Sequence, residues 1–144
     1  MANTYSTEAQ LLQNQPRQMP NAAYAGGRVR RYRNTITLAS QADGDTITLQ
    51  PIPAGHVFAF GILNATATLG ASATIAIGVS GTAGKFRAAA TFTAAAPTLF
   101  GLIGAMDDDP VSDNAGGFTP IITIGTAALP SSGTLTVDIY TSGA

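Results

Sequence analysis

The stretch at residues 134–141, which reads Thr-Leu-Thr-Val-Asp-Ile-Tyr-Thr, shows most directly how this chain folds. Its apolar residues Leu135, Val137 and Ile139 alternate with polar ones. Successive side chains of an extended strand point to opposite faces of a sheet, so the alternation places all three apolar side chains on one face. The stretch therefore predicts a half-buried β-strand.

The same alternation recurs at residues 35–38, 46–49 and 74–77, each of which places Ile or Leu between small residues. With the other runs rich in β-branched residues, it predicts eight strands separated by Gly, Pro, Asn and Asp. The predicted strands are Arg28–Ala39, Asp45–Gln50, His56–Asn64, Ala73–Val79, Phe86–Thr93, Thr98–Ile103, Pro120–Gly125 and Thr134–Thr141. Between the first two, Ala42-Asp43-Gly44-Asp45 indicates a hairpin turn.

The fold class follows from this spacing of strands and turns. The Ala-rich segments 64–76 and 88–96 contain Thr, Gly and Phe, which argue against a helix in either. A chain of 144 residues has room for one ordinary domain. We therefore predict an all-β protein, a single antiparallel β-sandwich of jelly-roll or immunoglobulin-like topology, and the sequence does not choose between the two.

Residues 1–27 differ from the rest because they are rich in Gln, Asn, Pro and Ala. Thr7-Glu8-Ala9-Gln10 resembles a capping box, and Pro16 would end any helix that it starts. So short a helix is marginal alone. We expect an extended N-terminal arm over 1–27, joined to a β-sandwich domain over 28–144. The arm would dock on another surface through four residues, namely Leu11, Leu12, Arg17 and Met19.

Charge is sparse and unevenly distributed. Charged residues make up 10% of the chain and the net charge is −1. Residues 1–33 hold five Arg against Glu8, a balance of +4, whereas the remainder holds Lys85 and Arg87 against seven Asp, a balance of −5. So low a charge density suits a protein whose surface is partly covered by neighbours, or one that stays soluble through the hydroxyls and amides of Thr, Ser and Asn. A basic N-terminal end and an acidic body are predicted.

The basic segment is Arg28-Val29-Arg30-Arg31-Tyr32-Arg33. Alternation places Arg28, Arg30 and Tyr32 on one face of a strand, and Val29, Arg31 and Arg33 on the other. Arginines on both faces exclude a core strand. Two interpretations stay open, a charged edge that blocks strand pairing and a partner-binding segment whose guanidinium groups bind carboxylates. The acidic body and the lack of stacking aromatics disfavour nucleic acid.

Groups that catalysis needs are scarce in this sequence. There is no cysteine, and His56, which we interpret as a buried, hydrogen-bonded or strand-end residue, is the single histidine. The glycine-rich stretch 78–86 lacks the spacing and the Ser/Thr of a phosphate-binding loop and is read as a connection between strands. The acidic loop Asp107–Asp113 is interpreted as a solvated loop, with calcium binding left open. We predict no enzyme activity and no cofactor.

No apolar run long enough to span a membrane occurs, and the N-terminus lacks the pattern of a secretory signal, so no membrane association is expected.

The arm, the basic segment and the Thr/Ala/Gly-rich body together resemble the small decoration, or cement, proteins of tailed-bacteriophage capsids. The opening Ala2-Asn3-Thr4-Tyr5-Ser6-Thr7-Glu8-Ala9-Gln10 is similar to the openings of virion proteins of this kind. The resemblance implies a homo-oligomer, with a trimer favoured, that is bound to the major capsid protein on the outer capsid surface of the virion. It also implies an arm that reaches across a neighbour to lock the shell, and it provides no catalytic residues.

An alternative from another class is a carbohydrate- or receptor-binding β-sandwich of a virion fibre or surface adhesin. Sugar sites usually present exposed Trp or Tyr platforms. This chain has no Trp, and three of its four Tyr lie in the first 33 residues. The alternative is therefore the weaker of the two.

Overall fold

The computed structural model describes Ser6, Ala9, Gln10, Pro16 and the ranges 27–102 and 116–143. Its strands are β1 (Arg28–Thr37), β2 (Thr46–Thr48), β3 (His56–Ala65), β4 (Thr74–Val79), β5 (Thr82–Thr91), β6 (Thr98–Phe100), β7 (Ile121–Gly125) and β8 (Thr134–Gly143). Each overlaps one of the eight predicted strands, which confirms the all-β prediction. No helix in this described part of the chain is long and apolar enough to cross a membrane.

The strands form two four-stranded antiparallel sheets, sheet A in the order β1-β8-β3-β6 and sheet B in the order β2-β7-β4-β5. Consecutive named strands alternate between the sheets with one exception, β4 and β5, which pair as a hairpin in sheet B. This connectivity is that of a jelly roll. The structure thus decides between the two topologies that the sequence left open.

The core lies between the inner faces of the two sheets. Alternation along β8 buries Leu135, Val137 and Ile139 completely, as predicted. Sheet B contributes Ile75 and Ile77 from its centre, which are also fully buried. Aromatic rings join the sheets at one end, where Phe58 of β3 stacks on Phe86 of β5 with ring centroids 4.6 Å apart. Burial of these apolar side chains is the main stabilising contribution.

The hairpin predicted at residues 42–45 is wrong, although the turn itself forms with the Asp45 amide donating to the Ala42 carbonyl at 3.1 Å. The strands on either side, β1 and β2, belong to different sheets. Before the turn, the Leu38 amide donates to the Gly133 carbonyl at 2.9 Å, so the chain pairs with the loop before β8. With this pairing the chain passes from β1 in sheet A to β2 in sheet B.

The connection predicted over residues 78–86 is mostly strand. Val79 pairs with Thr82 across a two-residue turn, so β5 begins four residues before its predicted start at Phe86. Gly81 supplies the positive φ of +86° that this turn requires. Gly78 has another role, because a Cβ at that position would collide with the carbonyl of Thr82.

Part of one helical turn is described in the N-terminal segment. The Ala9 amide donates to Ser6 Oγ at 3.2 Å, and the Gln10 amide donates to the Ser6 carbonyl at 2.8 Å. Ser6 therefore caps this turn, whereas the predicted cap, Thr7, lies outside the described residues. The predicted docking residues Leu11, Leu12, Arg17 and Met19 and the acidic loop Asp107–Asp113 also lie outside them.

Candidate interface on the outer face of sheet A

The basic segment forms the first half of β1, which is an edge strand of sheet A and pairs with β8 alone among the named strands. The predicted division between two faces is confirmed. Tyr32 packs toward the core and Arg30 reaches His56 inside the sandwich, whereas Arg33 bonds Asp138 on the outer face. The structure therefore separates the predicted cluster instead of gathering its arginines into one site.

On the inner face, Arg30 lies against the buried His56 at the start of β3. Arg30 Nη1 is 3.1 Å from Nε2 and 3.4 Å from Nδ1 of the imidazole. One nitrogen can be this close to both ring nitrogens only over the face of the ring, because within the ring plane it would collide with ring atoms. In addition, Thr141 Oγ1 lies 3.3 Å from Nδ1.

The pKa of His56 is lowered from its ordinary value, chiefly by burial and then by the positive charge of Arg30. Both effects disfavour the imidazolium form. A neutral ring between a guanidinium and a hydroxyl confirms the predicted buried, hydrogen-bonded histidine.

The outer face of sheet A is organised in rows that cross the strands. Register pairing places Arg31, Tyr140 and Phe60 side by side, and we call them the first row. The second row, defined in the same way, contains Arg33, Asp138, Ile62 and Leu99. Each row begins with an arginine on β1 and ends with an apolar side chain on β3 or β6.

Phe60 belongs to this face because of a β-bulge. Phe58 pairs with Thr141 and Phe60 with Tyr140, so β3 advances two residues while β8 advances one. In a regular strand Phe58 and Phe60 would share a face. The extra residue, Ala59, directs Phe58 into the core and Phe60 outward. Bulges are known to redirect a side chain in this way beside functional sites.

The apolar end of the rows is open to solvent. Phe60 stacks on Tyr140 with centroids 4.5 Å apart and an interplanar angle of 10°. Leu99 on the edge strand β6 is 70% exposed. Beside them is a depression of about 420 Å³, lined by Ala59, Phe60, Leu99, Phe100 and Gly101. Exposed large apolar side chains around a depression are typical of a binding surface.

At the basic end, Arg33 and Asp138 form a bidentate ion pair, with Nε to Oδ1 at 2.9 Å and Nη2 to Oδ2 at 2.8 Å. The Asp138 side chain is 7% exposed and that of Arg33 is 54% exposed. The hydrogen bonds to Asp138, followed by its negative charge, raise the pKa of Arg33. The negative charge of Asp138 is thus balanced by the Arg33 guanidinium, which reaches it from the solvent side.

Arg31 differs from Arg33 because it has no ion-pair or hydrogen-bond partner within the residues that the structure describes. It is exposed beside Tyr140 and borders a second depression of about 300 Å³. This depression is lined by Arg31, Arg33, Ile62, Asn64, Pro97, Thr136, Asp138 and Tyr140. The two depressions lie on either side of the Phe60–Tyr140 pair, one apolar and one basic.

The side chains on this face are suited to contact with another surface. In the described ranges no three His, Asp or Glu side chains gather in a way that would hold a metal ion. Aromatic, apolar and guanidinium groups, by contrast, are the groups enriched at protein interfaces. The face can bury apolar area and pair an arginine with a carboxylate.

Sequence reasoning identified the arginines of the rows but missed their other members. One signal was present, since Asp138 alone among the acidic residues of the body lies outside the predicted turns and loops, and a strand carboxylate needs a cation when it is buried. Phe60 and Leu99 carried no comparable signal, because their outward position depends on the bulge and on the order of strands in sheet A.

Comparison with known proteins gave matches in structure alone. No family model matches the sequence, and no curated protein shows significant similarity to it. A chain in the capsid asymmetric unit of cyanophage Pam1 is similar over 100% of both chains, with 18% identity and a TM-score of 0.65. A chain in the capsid of Ralstonia phage GP4 is similar over 88% of this chain and 89% of its own, with 23% identity and a TM-score of 0.59. The fold of this chain therefore also occurs in capsid structures.

Proposed function

We propose that this chain is a structural protein of a tailed-phage virion that decorates the outside of the head and stabilises its shell. The observation that carries the proposal is the likeness to a chain of the Pam1 capsid along the full length of both chains. A second phage capsid contains a similar fold over most of this chain. The resemblance of the arm and the basic segment to those of decoration proteins leads independently to the same class.

The proposed mechanism is mechanical. The arm, residues 1–27, joins the body at the start of β1, on an edge of sheet A. An arm that orders on docking gains buried apolar area from Leu11, Leu12 and Met19 and carboxylate contacts from Arg17 and the basic segment. The partner is the major capsid protein. Several copies bound together, as in a trimer, offset the ordering cost of each arm through avidity.

Deletion of residues 1–27 tests the arm. We expect the truncated protein to give the β-rich circular dichroism spectrum and cooperative unfolding of the full chain, since all eight strands lie beyond the deletion. Its binding to capsids purified without the decoration protein, measured by co-sedimentation, should be lost. Full occupancy of the capsid by the truncated protein would refute the role of the arm.

A carbohydrate- or receptor-binding module is the second candidate, and the Phe60–Tyr140 pair on the outer face is the observation that favours it. Jelly rolls also occur in lectins. However, the two rings are turned toward each other, so each has at most one free face to offer a sugar. Binding to a glycan array, with loss of the signal in Tyr140→Ala, would support this candidate over the first.

A further inference from the structure

We propose that the outer face of sheet A, at its first and second rows, seats an extended segment of the shell protein that carries an apolar side chain and a carboxylate. This inference rests on the proposed function and names the part of the body that contacts the shell. The apolar side chain would enter the depression beside Phe60 and Leu99, and the carboxylate would pair with Arg31.

The apolar half of the site is built at a structural cost. The bulge at Ala59 interrupts the ladder between β3 and β8, and its consequence is that Phe60 leaves the inner face. Phe60 is still 36% exposed after folding and Leu99 on β6 is 70% exposed, and apolar area left in water contributes nothing to stability. Both become favourable once another surface covers them.

Charge complementarity indicates the chemistry of the partner. Asp138 is the one acidic member of the two rows, and it is already paired with Arg33. Arg31 therefore leaves the face with a net positive charge. A guanidinium at the rim of an aromatic pair is suited to a carboxylate, which it binds through two parallel hydrogen bonds. A purely apolar or a basic partner would leave this charge unpaired.

Spacing defines the form of the segment. Arg31 on β1 and Phe60 on β3 are separated by β8, which places them about 10 Å apart across the sheet. The centre of the apolar depression lies beyond Phe60 toward β6, about 12 Å from Arg31. Residues four positions apart in an extended chain point the same way and are separated by about 13 Å. A segment crossing the strands thus reaches both depressions.

Two full-length variants test this site against a matched control. Leu99→Asp places a carboxylate at the apolar depression, and Arg31→Glu reverses the charge at the other. Thr48→Asp adds a carboxylate to an exposed position of β2 in sheet B. The probe is a capsid purified without the decoration protein, with binding measured by co-sedimentation. We expect each sheet A variant to bind at least about tenfold more weakly, and the control to bind like the unmodified chain.

The outcomes separate the two proposals. All three substituted positions are exposed, and thermal unfolding of each variant checks that its fold is intact. If the unmodified chain fails to bind capsids, the proposed function is wrong. If it binds and both sheet A variants bind equally well, the site is wrong and the proposed function stands. If the variants change the sedimentation of the free protein but not its binding to capsids, the face contacts a second copy, which overturns the assignment to the shell.

Discussion

The two outer faces of this sandwich differ although the same alternation of residues builds both sheets. Sheet A presents rows that contain Arg, Tyr, Phe, Asp, Ile and Leu. Across β2, β7 and β4, the corresponding rows of sheet B contain Thr46, Thr123 and Ala76 in one and Thr48, Ile121 and Gly78 in the other. Core formation requires apolar residues at alternate positions and leaves the positions between them free to vary.

This difference makes sheet A the better candidate for a binding face. Apart from Ile121, these residues of sheet B are small and offer little area to a partner, and Gly78 is held to its size by the close approach of β5 at the hairpin. The side chains of sheet A are larger, and holding them in rows costs conformational entropy. Arg and Tyr are the residue types that contribute most to binding energy at interfaces. The rows of sheet A therefore have more of the features of a binding face than those of sheet B.

The sharpest test of which residues of sheet A lie on its inner face and which on its outer face compares two phenylalanines two positions apart. Phe58 is 1% exposed and stacks on Phe86, whereas the bulge turns Phe60 outward. We expect Phe58→Ala to lower the free energy of unfolding by about 3–5 kcal/mol. Phe60→Ala loses mainly its stack on Tyr140 and should cost about 1 kcal/mol. Urea unfolding of both variants measures the difference, and equal losses would show that the bulge does not separate the two side chains.

A second comparison uses the two members of the ion pair in the second row. Asp138→Asn leaves Arg33 unpaired but able to reach solvent, so we expect a loss of about 1 kcal/mol. Arg33→Met leaves the carboxylate of Asp138 buried without its cation and should cost more. Urea unfolding of the two variants gives the ranking. The reverse order would mean that Asp138 finds another partner or solvent.

Local features of the fold were predictable and long-range ones were not. The strands could be read from alternation because each strand carries its own pattern, as Leu135, Val137 and Ile139 do. The turn at residues 42–45 was also correct locally, but its strands entered different sheets because the preceding residues bond the loop before β8.

The candidate site depended on such long-range pairing even more. The faces of Arg31 and Arg33 followed from alternation within β1. Their neighbours across the sheet follow from the position of β8 between β1 and β3, which no local pattern specifies. The bulge at Ala59 changes the face of every later residue of β3, and nothing in the sequence around Ala59 marks it.

The smallest expected effect concerns His56, on the inner face of sheet A. We expect acidic pH to lower the free energy of unfolding through this residue, without a change at Arg31 or elsewhere in the first row. Because the pKa of His56 is lowered in the folded chain, the unfolded chain takes up a proton first as the pH falls through 6.5. Stability that is present above this pH is therefore lost between 6.5 and the lower pKa of the folded state.

His56→Gln removes the titrating group. Urea unfolding at about pH 7.5 and about pH 5.5 should show a smaller difference in the variant than in the unmodified chain. An equal difference in both would mean that neither burial nor the charge of Arg30 lowers the pKa of His56 in the folded chain.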